Sequence, residues 1–110
     1  MTNTPRYGHE PIAMRQVSPP QYSSIERPGD YYIKPADPTD PELHHLGLGL
    51  PTAGVQAFTF SEIKIKTNGD PKREHHWGWD GNKERPTLTP SVHAVGHWHG
   101  YVRDGSLVEA

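Results

Sequence analysis

The sequence predicts an all-β protein: a small antiparallel sheet, sandwich or partly open barrel, preceded by a long extended Pro-rich N-terminal arm. Three observations carry this. Proline and glycine together supply 12 and 11 of the 110 residues, about one residue in five against an average of roughly 12%, which disfavours long helices. Apolar residues make up only 32% and mean hydropathy is -0.83, too little to build a core along the whole chain. The second half alternates short β-forming runs with turn signals.

Residues 1–51 hold nine of the twelve prolines, spaced so that few runs can propagate a helix or a ladder. The apolar residues Ile12, Met14, Tyr22, Ile25, Tyr31, Tyr32 and Ile33 come singly or in short clusters. Two readings follow, a disordered tail or an extended arm whose anchors fit a groove on a partner. His44-His45 and the Leu-Gly-Leu-Gly-Leu run after it are expected to form a hinge between arm and domain.

Residues 52–110 are expected to form the β domain, near the lower size at which a domain stands alone. Val55 to Lys66 places Phe58 and Phe60 on one parity and Ile63 and Ile65 on the other, so a bulge near Ser61-Glu62 is expected. Thr67 to Pro71 reads as a turn. His75 to Asp80 alternates, with Trp77 and Trp79 on one face, and Asp80-Gly81-Asn82 turns again. Pro86 to Pro90 must be extended or at a sheet edge. Val92 to Val102 is broken by Gly96, and Asp104-Gly105 before Leu107-Val108 predicts a hairpin.

The stretch Trp77 to Val92 (WGWDGNKERPTLTPSV), followed by His99 to Val108 (HGYVRDGSLV), resembles a small uncharacterised family of phage and bacterial proteins. Its pattern is aromatic-x-aromatic-(Asn/Asp)-Gly, then Pro-Thr-x-x-Pro-Ser, then His-x-(Phe/Tyr)-Val-x-Asp-Gly. Members are domains of unknown function, many carrying an "ammonia monooxygenase" label. The resemblance covers roughly residues 55–108 and implies a phage or prophage origin more than a reaction. Typical members have a Cys-rich segment and a Cys directly before the last His, which looks like a zinc site. Here Trp98 precedes His99 and the chain has no Cys, so such a site is lost or rebuilt from histidine.

The absence of Cys also excludes disulfides, thiol nucleophiles and iron–sulfur sites. No stretch approaches the roughly 18 apolar residues of a membrane span, and Met1 to Arg6 has no apolar signal region. With a net charge of -2, no nucleic-acid footprint exists. Five of eight histidines lie between positions 75 and 99. On one strand His97 and His99 share a face about 7 Å apart, with Trp98 and Val102 on the other. They could hold a divalent metal, completed by His93, His75 or Asp80; the alternative is an ordinary polar face. Ser91 lies in an extended Thr-Pro-Ser segment without a nucleophile elbow, so no catalytic residue is assigned and a non-enzymatic protein is expected. The tryptophans read as core, with base or sugar stacking as the alternative.

These readings lead to an expected phage virion structural protein. It would be a capsid decoration or cement protein, or a minor head or tail protein, contacting the major capsid or another virion protein and self-associating there. Its arm of about 50 residues could reach roughly 165 Å fully extended. The alternative is a His-based metal-binding accessory protein or small metalloenzyme.

Overall fold

The computed structural model describes residues 10–36, 38–52, 58–67 and 76–110. Its strands are β1 (Ile12–Ala13), β2 (Arg15–Gln16), β3 (Asp30–Ile33), β4 (Leu43–Pro51), β5 (Phe58–Lys66), β6 (Trp77–Trp79), β7 (Leu88–Thr89), β8 (Val92–Ala94), β9 (Trp98–Arg103) and β10 (Ser106–Glu109). One 3-10 turn, Tyr22–Ser24, is the described helical element. The expected all-β class is the class observed.

Two sheets share these strands, a curled six-stranded one in the order β2-β3-β4-β5-β6-β7 and a four-stranded one in the order β1-β10-β9-β8. Pairing is antiparallel except for β2 with β3 and β5 with β6, which run parallel. Tyr31, Leu46, Leu48, Leu50, Ile63, Ile65, Trp79 and Leu88 of the first sheet meet Val92, Ala94, Trp98, Val102 and Leu107 of the second in one buried cluster.

The expectation of a separate arm is corrected by β3 and β4. The Leu-Gly-Leu-Gly-Leu run is no hinge: it is an interior strand, paired with β3 on one side and over nine positions with β5 on the other. Strand alternation puts Leu46, Leu48 and Leu50 on the core face. Gly47 and Gly49 fall on the opposite face, where close cover leaves no room for a side chain. A Cβ on Gly47 would stand 2.1 Å from Tyr32 Cζ, and one on Gly49 would stand 2.9 Å from Ile25 Cγ2. Ile25, Tyr31 and Tyr32 are therefore buried in their own chain, and Ile12, Met14 and Ile33 pack partly buried against the core. Of the seven expected partner anchors, Tyr22 is the exposed one, at 59%.

The same outer cover removes the expected bulge. The β4–β5 register runs unbroken from Leu43 opposite Lys66 to Pro51 opposite Phe58. Both faces of β5 are used: Ile63 and Ile65 enter the core, while Phe60 meets Tyr22 at 4.8 Å and Tyr32 at 6.3 Å between ring centroids. The switch of apolar parity marks a strand covered on two sides, with no kink in its ladder. Residues 55–57 of the expected strand and most of the expected turn after Thr67 lie outside the described residues.

The expected hairpin is present: Arg103 pairs with Ser106, and Asp104 and Gly105 both have positive φ, +47° and +75°, as a two-residue Asp-Gly turn requires. Asp80 Oδ1 accepts the Asn82 amide at 3.1 Å, closing the turn after Trp79. Pro86 to Pro90 is extended and includes β7, the last strand of its sheet.

Candidate functional site

At Pro90-Ser91 the chain leaves β7, the edge of the six-stranded sheet, and enters β8, the edge of the four-stranded sheet. β8 then turns at Val95 to His97, closed by the His97 amide donating to the Ala94 carbonyl at 2.9 Å, and returns as β9. The register sets Val92 opposite Gly100, His93 opposite His99 and Ala94 opposite Trp98. Val92, Ala94, Trp98 and Val102 consequently face the core, and Ser91, His93, His99 and Tyr101 fall on the outer face.

On that face the Ser91 hydroxyl and His99 Nε2 are 3.0 Å apart and hydrogen-bonded. Both side chains are half-buried. The His93 ring lies alongside His99 with centroids 4.8 Å apart. The Ala110 amide donates to the His99 carbonyl at 2.8 Å, fixing β9 from its other side. From the opposite sheet, the indole N–H of Trp77 donates to the Ser91 carbonyl at 3.2 Å.

A serine hydroxyl within hydrogen-bond reach of an imidazole nitrogen is the arrangement that activates an alcohol as a nucleophile. The imidazole takes the hydroxyl proton as the oxygen attacks. No nucleophile-elbow motif marks Ser91 in the sequence. The available signal was parity: a hairpin turning at Gly96 puts odd positions 91, 93, 99 and 101 on one face.

Of the expected metal pair, His99 lies on β9 and His97 in the turn that precedes it. Trp98 and Val102 are buried and His99 and Tyr101 face outward, as parity requires, but His97 belongs to the turn before β9. Strand alternation does not extend back to His97, and Ser91 and His93 both lie against His99. Among the described residues no group of three or more His, Asp or Glu is placed to hold a metal ion. Asp80 instead caps its own turn, its Oδ1 also accepting the Thr87 amide at 3.2 Å, and His75 lies outside the described residues. Trp79 is buried, and Trp77 packs partly buried against the core.

The shifted titrations lie elsewhere. Burial opposes ionisation of Asp30, yet the Arg15 guanidinium at 2.7 and 2.8 Å and the amides of Glu26 and Arg27 outweigh it and hold its carboxyl below the ordinary range. The Tyr32 hydroxyl donates to Glu62 and lowers that carboxyl, with Lys34 adding to the effect against desolvation. Two open hollows of about 410 and 320 Å³ border the segment from Arg15 to Ile33, and neither includes Ser91 or His99.

A family model described as "Bacterial ubiquitination-like system serine protease (BubE)" matches residues 60–110. This small bacterial domain family is what the chain is similar to over that stretch, which holds Trp77, Ser91, His93 and His99. No curated protein and no solved structure matches the chain.

Proposed function

We propose that this protein is a serine hydrolase of the protease type, with Ser91 as nucleophile and His99 as general base. The hydrogen bond of 3.0 Å between Ser91 Oγ and His99 Nε2 carries this reading. The similarity over residues 60–110 to a family described as a serine protease supports it independently, because both residues fall inside the match.

The chemistry is acyl transfer. Ser91 Oγ attacks a substrate carbonyl carbon while His99 Nε2 takes the hydroxyl proton, giving a tetrahedral oxyanion and an imidazolium. The imidazolium passes its proton to the leaving amine as the carbon–nitrogen bond breaks, leaving an ester on Ser91. Water then attacks that ester, losing one proton to His99, which returns it to Ser91 Oγ as the ester carbon–oxygen bond breaks. The carboxylic acid product departs and gives its proton to solvent. The position between two edge strands suits an extended polypeptide, which can approach without threading into a cavity.

Virion decoration by the N-terminal segment has less support, since it needs the arm's anchors turned outward and Ile25, Tyr31 and Tyr32 are buried.

The test is labelling with a fluorophosphonate, which phosphonylates activated serines. The intact protein is expected to gain one adduct on the peptide containing Ser91, Ser91→Ala to gain none, and His99→Ala to react at least about a thousandfold more slowly. An unlabelled protein, or equal labelling of Ser91→Ala, would overturn the assignment.

A further inference from the structure

Trp77 is placed differently from the other tryptophan of its strand. Trp79 is buried in the core and donates its indole N–H to the Asn82 carbonyl at 3.3 Å, within its own turn. Trp77 lies two residues earlier on the same face of β6, at the parallel pairing with Ile65, and donates at 3.2 Å to the main-chain carbonyl of Ser91. That bond joins strands of different sheets: β6 belongs to the six-stranded sheet, whereas Ser91 leads into β8 of the four-stranded sheet, which also carries His99 on β9.

Ser91 itself precedes the first ladder position of β8. β8 is the edge strand of its sheet, and the indole bond to the Ser91 carbonyl is a tie from the opposite sheet. Holding the carbonyl restricts the Ser91 backbone, and with it the position from which Oγ reaches the imidazole. A displacement of the nucleophile by about 1 Å can cost on the order of a hundredfold in rate.

The geometry points to Trp77 as a positioning residue for the Ser91–His99 pair, acting through the Ser91 carbonyl; this rests on the hydrolase reading above. Trp77 touches no reacting atom. Its role is to hold the segment between β7 and β8 so that Ser91 Oγ stays within reach of His99 Nε2.

The experiment compares Trp77→Phe with Trp79→Phe, each removing one indole N–H bonded to a main-chain carbonyl while keeping an aromatic ring. Fluorophosphonate inactivation of each variant is measured over a range of probe concentrations, to separate probe affinity from the maximal rate of adduct formation, alongside thermal melting. Trp77→Phe is expected to lower the maximal rate about tenfold, the value of roughly one hydrogen bond, with probe affinity unchanged. Trp79→Phe is expected to lower the melting temperature and leave the maximal rate as it was. Equal maximal rates for Trp77→Phe and the parent would overturn the inference while leaving the hydrolase reading standing. A fall in both variants in proportion to their loss of stability would also overturn it, since that is a structural effect alone. If Trp77→Phe fails to fold, Trp77→His, which keeps a ring N–H, must retain more of the rate than Trp77→Leu. A parent protein that is not labelled removes both readings together.

Discussion

Asp30 shows how one residue ties the N-terminal segment down. Its carboxylate is fully buried, and it accepts two hydrogen bonds from Arg15 on the neighbouring strand and two from the amides of Glu26 and Arg27. Arg15 keeps 46% of its side chain exposed, so the pair is screened on one side and worth less than a fully buried one. Asp30→Ala strands the two amides and is expected to cost about 2–3 kcal/mol, read from urea unfolding. Because its carboxyl is held below its unfolded value, Asp30 contributes stability that is fully present above the unfolded carboxylate range near pH ~4 and is lost as pH falls through the lower folded value. Unfolding followed across acid pH should thus show a shallower acid loss for Asp30→Asn than for the parent. Ser91 and His99 are both half-buried residues joined by one side-chain hydrogen bond.

At the scale of elements, β4 is the strand on which the first sheet depends. Its leucines form part of the core and its glycines admit Tyr32 and Ile25 on the outer face. Gly47→Ala would drive a methyl group into the Tyr32 ring and is expected to cost about 2–3 kcal/mol. Combining it with Tyr32→Leu should recover part of that loss, a coupling of at least about 1 kcal/mol in a double-mutant cycle of unfolding free energies. Additive losses would mean that Tyr32 does not occupy the space above Gly47. The β8–β9 hairpin is the corresponding element of the candidate site, since its register sets His93 opposite His99 and leads Ser91 onto the same face.

For the whole molecule, two sheets close over one core to which residues on both sides of position 51 contribute. Removing residues 1–45 would take away β1, β2, β3 and the start of β4, including buried Tyr31 and its hydrogen bonds to the carbonyls of Lys83 and Glu84. The truncated chain is expected to lose its folded state, seen as collapse of amide dispersion and loss of cooperative melting, because Leu46, Leu48 and Leu50 would lose their cover. A dispersed spectrum from that chain would show residues 46–110 to be self-sufficient.

Local chemistry determined what could be read from the sequence alone: the all-β class, the Asp104-Gly105 turn, the Asp80 turn, the extended Pro86 to Pro90 segment and the inward face of Trp98 and Val102. Each depends on neighbours a few residues away, through proline φ, glycine at positive φ or strand alternation. Only the tertiary structure decided that the Pro-rich half belongs to the core. Tyr31 and Tyr32 gain their burial from partners such as Leu48, Gly47 and Lys83, and spacing along a Pro-rich run carries no trace of contacts so remote. The same holds at the candidate site. Parity could have grouped Ser91 with His99, but that the hydroxyl meets Nε2 and that Trp77 reaches the Ser91 carbonyl depends on how two sheets are set against each other. Packing of distant strands fixes that arrangement, and no local pattern encodes it.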